Sequence, residues 1–301
     1  MQEQNFSIDS HRESEEQYLL EQFNHPEKIE LNGEQIEVVD ISPRELKTQE
    51  PTLILPGFSA TPEALKDAIL RTAEAGRRVI SAKAPHGISV WEKKSDLPYA
   101  ERTKLELVLR LIEEKGLETV NVIANSESSI YSTTAALLSQ KVSNMVLVEP
   151  VGLIGKDSLL QLLKRTREDM QEQARQDSSK EKVKYPSPND IGVKSVLSNI
   201  VASVNEVRAI ADSDITGALE ELHKSGVGIS IIHGVDDKMF PMERVQKMVK
   251  EEMIDGFYSV QGTHNSIYVY EPYGRVAEEA LSALENKKKN QADKIPTEKS
   301  P

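Results

Sequence analysis

Ser126 is the residue whose neighbours best equip it for chemistry. Val120, Val122 and Ile123 form a short apolar β-branched run that predicts a buried strand. From Ile130 onward, Ala135, Ala136, Leu137 and Leu138 in a polar background predict a helix. Between them lies Ala124-Asn125-Ser126-Glu127-Ser128, a small-x-Ser-x-small turn. A strand that passes straight into a helix must turn sharply, and small flanking residues let the two backbones approach. Such a turn lifts the serine hydroxyl out of the chain path, beside a helix N-terminus whose free N–H groups favour developing negative charge. A hydroxyl is a weak nucleophile at neutral pH. It needs a base within hydrogen-bond reach, and the base needs an orienting carboxylate.

The candidates for those two roles stand after later strands. Val227 to His233 predicts a strand that runs into Gly234-Val235-Asp236-Asp237-Lys238-Met239-Phe240-Pro241, and Phe257 to Val260 predicts the last strand, followed by Gly262-Thr263-His264-Asn265. Asp237 and His264 are therefore the carboxylate and the base to consider. Taken singly, each has a plain alternative: a turn serine, a helix-capping aspartate, a structural histidine. Two further carboxylates compete with Asp237. Asp236 is its neighbour, and Glu149 ends the strand predicted over Met145 to Val148, where it serves equally as a structural group or a substrate contact.

These segments alternate with helices, as the positioning of such loops requires. Lys28 to Ser42 alternates around Asn32-Gly33, a pair suited to a type I′ hairpin turn. Thr52 to Leu55 is a compact strand ending in Pro56-Gly57-Phe58-Ser59, and the next helix has Thr61 at its N-cap position, Pro62 in its first turn and Gly76 beyond its end. Val79-Ile80 begins another strand, followed by the loop bearing His86 and Trp91. Leu105, Val108, Leu109 and Ile112 then share one helical face, closed by Gly116. Repeated strand–helix alternation predicts an α/β, doubly wound, mostly parallel sheet covered on both faces. Near Gly152 the alternation breaks. Residues Lys156 to Gln176 read as a helix, Asp177 to Asn189 as a polar connector, and Val193, Val196, Leu197, Ile200, Val201 and Val204 as the apolar stripe of a second helix. A helical insertion over 152–214 is expected, with a helix running from Glu243 to Met253 in the second part of the core (215–285). Residues 1–27 read as an N-terminal extension with one docking helix around Tyr18-Leu19-Leu20. Residues 286–301 read as a disordered, Lys-rich tail after a final helix that ends near Leu284.

Composition narrows the partners. The 301 residues carry 37 basic and 49 acidic side chains for a net charge of −12, which offers no basic excess to a nucleic acid. There is no cysteine, so disulfides, thiolate metal sites and cysteine nucleophiles are excluded. The first residues lack a basic start and apolar core, and no apolar run is long enough to span a bilayer; a cytoplasmic location is the expectation.

With these residues in view, the chain resembles the α/β-hydrolase superfamily over about Pro51 to Leu284. The elbow around Ser126 is similar to the family's G-x-S-x-G, with Ala124 and Ser128 where glycines are commonest. Gly-x-x-Asp-x-x-x-Pro surrounds Asp237 and Gly-x-His-Asn surrounds His264. The order Ser, Asp, His is the family's own. The resemblance implies an α/β-hydrolase fold with the insertion as a helical lid, the apolar stripe packing over the Ser126 mouth. It implies Ser126 as nucleophile, His264 as base and Asp237 as acid, with Glu149 the alternative from the earlier strand. It further implies backbone N–H groups of Phe58 and Glu127 as oxyanion donors, although many relatives have His-Gly where this chain has Pro56-Gly57. His86 and Trp91 are candidate pocket or surface residues. The expected activity is hydrolysis of an ester or other acyl bond of a small molecule through an acyl-Ser126, with no metal and no cofactor. A non-catalytic ligand- or partner-binding member, or an acyltransferase, is the alternative.

Overall fold

The computed structural model describes residues 15–85, 99–155, 157–177, 200–268 and 270–292. His86, Trp91, Val193, Val196 and Leu197 lie outside them, as do the side chains of Ile200, Val201 and Val204.

The short β-branched runs assemble into one eight-stranded sheet of order β1-β2-β4-β3-β5-β6-β7-β8. The strands are β1 (Glu27–Leu31), β2 (Glu34–Ile41), β3 (Thr52–Leu55), β4 (Val79–Ala82), β5 (Val120–Asn125), β6 (Val142–Val148), β7 (Gly228–Gly234) and β8 (Gly256–Val260). The first two form an antiparallel hairpin, and β2 also runs antiparallel to β4. From β4 to β8 every pairing is parallel. The hairpin turns at Asn32 (φ 52°) and Gly33 (φ 82°), the two positive φ values that a type I′ turn demands. In β1 and the start of β2, buried and exposed residues alternate; β3, β4, β5 and β7 are buried along their whole length. Continuous burial follows from helices on both faces.

The period of two divides the core. Val122, Ala124, Met145, Leu147, Ile229 and Ile231 face one apolar cluster, with side chains of α3 (Tyr99–Glu114), α4 (Ser128–Ser139) and α7 (Thr216–Lys224). Ile123, Val146, Val148 and Ile232 face the other, with α1 (15–23), α2 (Lys66–Glu74) and α9 (Glu271–Ala292). Leu19 and Phe23 are buried there, so the expected N-terminal helix docks on the sheet. The remaining helices are α5 (Leu159–Asp177), α6 (Ile200–Asp212) and α8 (Met242–Met248).

Three boundaries differ from the sequence-based expectation. The last helix continues to Ala292 instead of ending near Leu284, so Lys287, Lys288 and Lys289 are helical and not part of a tail. Their run is anchored: Lys287 pairs with Asp255 at 2.6 Å, and Lys288 reaches the Ser143 carbonyl. Two docked ammonium groups turn what reads as a solvated terminus into about two more turns of helix. The helix expected over Glu243 to Met253 stops at Met248, where Val249 becomes extended, and a short 3-10 turn covers Glu251–Met253. The helical segment after β3 begins as a 3-10 turn, Pro62–Leu65; Thr61 caps it through its carbonyl, which accepts from the Ala64 N–H, and not through its hydroxyl.

Between β6 and β7 the chain inserts α5 and α6. Both reach the C-terminal edge of the sheet. Arg165 of α5 donates to the Met239 carbonyl at 2.8 Å, and Glu206 of α6 lies 3.1 Å from the Lys104 ammonium.

Candidate active site

Parallel strands deliver their following loops to one edge of the sheet, and this edge collects Phe58 after β3, Ser126 and Glu127 after β5, Glu149 after β6, Asp237 after β7 and His264 after β8. At the β5–α4 junction Ser126 adopts φ 54°, a left-handed conformation that costs a non-glycine residue about 1–2 kcal/mol. The turn is held by the Ser126 N–H, which donates to the Val148 carbonyl at 2.9 Å, and by the Ser129 hydroxyl, which donates to the Ser126 carbonyl at 2.7 Å.

The two departures from glycine at this elbow have physical explanations. Ser128 is fully buried, and its hydroxyl lies 2.9 Å from the Leu55 carbonyl and 2.8 Å from the Asn125 carbonyl. The side chain that glycine would omit is here the one that ties the elbow to β3. Ala124 is fully buried in the apolar cluster, where its methyl group adds to the packing. The glycine this geometry does require is Gly57, where a Cβ would sit 3.0 Å from the Asn125 carbonyl oxygen and from Ser126 Cβ. Tyr131 donates to the Pro56 carbonyl at 3.1 Å, and the Tyr268 hydroxyl donates to the Asn125 side chain, so the Pro56–Ser59 loop and the elbow are braced together.

Ser126 is 8% exposed, and its Oγ lies 2.8 Å from His264 Nε2. His264 Nδ1 lies 2.9 Å from Asp237 Oδ2, while Asp237 Oδ1 accepts the Phe240 N–H at 2.8 Å. A carboxylate only accepts, so Nδ1 carries the hydrogen and Nε2 offers its lone pair to the serine. Burial alone would raise the Asp237 pKa, and the His264 charge and hydrogen bond overcome it to hold the carboxyl below its usual range. Burial alone would lower the His264 pKa; the Asp237 carboxylate raises it above its ordinary value. The Phe240 ring packs against the imidazole, centroids 5.1 Å apart.

Asp236 is not brought to this constellation; its Oδ2 accepts from the Gln176 and Gln261 side-chain amides. Glu149 is fully buried beside Asp237, within side-chain hydrogen-bond reach of it when protonated, and it bonds neither Ser126 nor His264. The N–H groups of Phe58 and Glu127 have no acceptor among the described residues. Glu149, His233 and Asp237 present one ligand-type atom each within 4.8 Å of one another. Within it Asp237 accepts from His264 and from the Phe240 N–H, and Glu149 from the Gly234 N–H and the Tyr273 hydroxyl.

Two groups at the site are not legible as such in sequence. Asp169 of α5 is buried and accepts from the Lys238 N–H at 2.9 Å and the His264 N–H at 3.3 Å; burial and the Asp237 charge push its pKa up to about 6. The second is a buried ionic cluster beside the elbow. Lys104 Nζ lies 2.7 Å from Glu127 and 3.1 Å from Glu206, and all three are almost wholly buried. Glu101 joins them, and burial with the Glu127 charge pushes its pKa well above the usual carboxylate range. A signal for this was available: Glu101 and Lys104 fall at helical spacing with Leu105, Val108 and Ile112, charges on an apolar face. Removing one partner of such a cluster leaves buried charge uncompensated. Lys104→Met is therefore expected to cost about 3–5 kcal/mol of unfolding free energy in urea titration. A loss within ~0.5 kcal/mol, the range of ordinary surface substitutions, would show that Glu127 and Glu206 are not relying on this lysine.

The fold is that of the α/β-hydrolases. Solved structures similar to the chain include an esterase from Exiguobacterium antarcticum (TM-score 0.62, 18% identity, 87% of this chain and 100% of that one). A hydrolase from Pseudomonas aeruginosa (0.60, 17%, 86% and 98%) and a bromoperoxidase from Bacillus anthracis (0.61, 15%, 87% and 100%) share it too. No protein-family profile matches the chain, and no curated protein matches it in sequence. Among the described residues no helix is long and apolar enough to cross a membrane.

Proposed function

We propose that the protein is a serine hydrolase that cleaves a carboxylic ester or related acyl bond of a small molecule through an acyl-Ser126 intermediate. The observation that carries this is the continuous hydrogen-bonded line Ser126 Oγ–His264 Nε2 and His264 Nδ1–Asp237 Oδ2, at 2.8 and 2.9 Å, on a strained elbow. Several solved structures of this fold are of esterases or hydrolases, which agrees with the reading.

In the forward step Ser126 Oγ attacks the carbonyl carbon while His264 Nε2 takes the hydroxyl proton. The negative oxygen of the tetrahedral intermediate is received by the N–H groups of Phe58 and Glu127. When the bond to the alkoxide breaks, His264 returns the proton to it. Water then attacks the acyl carbon, His264 removes its proton, and Ser126 leaves with that proton to regenerate the hydroxyl. Asp237 holds the imidazole in the reactive tautomer and stabilises its charged form. The insertion acts as a lid: Arg165 and Asp169 on α5 and Glu206 on α6 fasten it to the Met239, His264 and Lys104 segments that border the serine.

The test is turnover of a panel of p-nitrophenyl esters of graded acyl length by the purified protein, with mass spectrometry of a fluorophosphonate adduct. Hydrolysis that saturates with substrate and a single adduct on Ser126 is the expected result. A protein that binds esters without turnover or labelling is instead a binding member of the fold.

A further inference from the structure

Glu149 is a carboxyl group that the reaction above does not use, in a place that is costly to maintain. It sits at φ 50°, left-handed for a non-glycine residue, and its side chain is completely buried. Its Oε1 accepts from the Gly234 N–H at 2.8 Å and from the Tyr273 hydroxyl at 3.2 Å. The site is built for this contact, since a Cβ on Gly234 would lie 2.7 Å from that oxygen. Its Oε2 has no hydrogen-bond donor, yet it lies 3.1 Å from Nδ1 of His233, which is also fully buried.

The tautomer of His233 follows from its other nitrogen. Nε2 lies 2.7 Å from the Phe240 carbonyl, which can only accept, so Nε2 bears the hydrogen. In the neutral imidazole Nδ1 is then a bare lone pair. Two lone pairs facing each other at 3.1 Å, away from water, are repulsive; a proton between them makes the contact attractive. Placed there, that proton belongs to one of two states, a neutral acid with a neutral imidazole, or a carboxylate with an imidazolium; a protonated Glu149 also lies within side-chain hydrogen-bond reach of the Asp237 carboxylate, which likewise favours the neutral acid. The surroundings favour the first. Facing Glu149 are Asp237 from the loop after β7, His233 from β7 and Tyr273 from α9, with His264 beyond Asp237, and a second carboxylate beside Asp237 would repel it. Burial, then the Asp237 charge, pushes the Glu149 pKa well above the carboxylate range, and burial lowers that of His233.

We propose that Glu149 and His233 form a neutral proton-sharing pair that positions the triad acid. Glu149 Oε2–H donates to His233 Nδ1, which fixes the tautomer whose Nε2–H holds the Phe240 carbonyl. The same Phe240 supplies the N–H that holds Asp237 Oδ1, and its ring packs on His264. Both are positioning residues, since neither touches Ser126. The inference rests on the triad reading for its kinetic consequences, but not for the state of His233.

The experiment therefore has two independent arms. In the first, ¹⁵N NMR of histidine-labelled full-length protein reads the His233 ring. An unprotonated Nδ1 and a protonated Nε2, unchanged over the pH range in which His264 titrates, are expected. An imidazolium, or a hydrogen on Nδ1 alone, overturns the proposal whether or not the protein hydrolyses esters. In the second, Glu149→Gln presents an amide N–H to Nδ1 and keeps the Oε1 acceptor, so kcat should stay within about twofold of wild type. Glu149→Leu keeps the volume and loses both bonds; kcat should fall roughly 10²-fold at little change in KM. The midpoint of the acid limb of its pH profile should move down, because a displaced Asp237 supports the His264 charge less well. If Glu149→Leu does not fold, Glu149→Gln still decides: a loss near that of Asp237→Asn marks Glu149 as an ionised acid and ends the proposal. Loss of thermal stability in Glu149→Leu with kcat and pH profile unmoved reduces the pair to a structural one. Absence of all ester turnover in wild type, with the expected His233 spectrum, defeats the hydrolase reading and leaves the pair standing.

Discussion

Ser126→Ala should abolish both fluorophosphonate labelling and ester turnover, the latter by roughly 10⁶-fold, as when a nucleophile acting within a triad is removed. The neighbouring serines cannot substitute. Ser128 Oγ is engaged with the Leu55 and Asn125 carbonyls, and Ser129 Oγ with those of Ser126 and Val151. Both are fully buried, whereas Ser126 keeps a little exposure at the mouth of the site. The fold should survive, because the elbow is held by the Ser126 backbone and the Ser129 hydroxyl and not by the Ser126 side chain. An unchanged circular-dichroism melt beside lost activity is the expected pair of results. Adduct formation persisting in Ser126→Ala would falsify the assignment.

Asp237→Asn is expected to lower kcat by about 10⁴-fold, while Asp236→Asn and Glu149→Gln stay close to wild type. The direction follows from the hydrogen bonds at the two oxygens. Oδ1 accepts the Phe240 N–H, so an asparagine keeps its carbonyl there and turns its amide toward His264 Nδ1. An amide N–H facing Nδ1 forces the ring hydrogen onto Nε2, which then faces Ser126 with a donor where an acceptor is needed. The pH profile supplies a second readout. His264 must be neutral to take the serine proton, and in the wild type its pKa is raised above 6.5 by Asp237, against burial. Activity should therefore rise with pH through a midpoint above 6.5 in wild type, and through a lower one in Asp237→Asn, where burial acts without the carboxylate. If Glu149→Gln proves the most damaging of the three, the acid belongs at the end of β6.

Much of the fold was legible because its signals are local. β-Branched runs such as Thr52–Leu55, the Asn32-Gly33 turn and the stripe Leu105, Val108, Ile112 depend on backbone preference and periodicity within a few residues. Ser126 was legible for the same reason, since a strand, a small-residue turn and a helix are contiguous around it. Where the local rules fell short, distant partners had entered. The final helix runs on to Ala292 because Lys287 and Lys288 find Asp255 and Ser143 on other elements. Ser128 is accommodated where glycine is usual because the Leu55 carbonyl on β3 accepts its hydroxyl.

By itself, then, the sequence determined the alternation of elements, the parallel sheet it implies, and which loops would reach the same edge, since periodicity and turn chemistry are short-range. Tertiary structure alone decided which carboxylate meets His264. Asp236, Asp237 and Glu149 all stand at strand ends; the Gly-x-x-Asp-x-x-x-Pro run favours Asp237, but which of them reaches the histidine is not a local property. Only the packing of β6, β7 and the His264 loop puts Asp237 at 2.9 Å from Nδ1, leaves Asp236 on two glutamine amides and turns Glu149 toward His233. Hydrogen bonds are made over about 3 Å between groups far apart in the chain, 85 residues for Gly234 and Glu149 and 138 for Ser126 and His264, so their partners are a property of the assembled edge and not of any one segment.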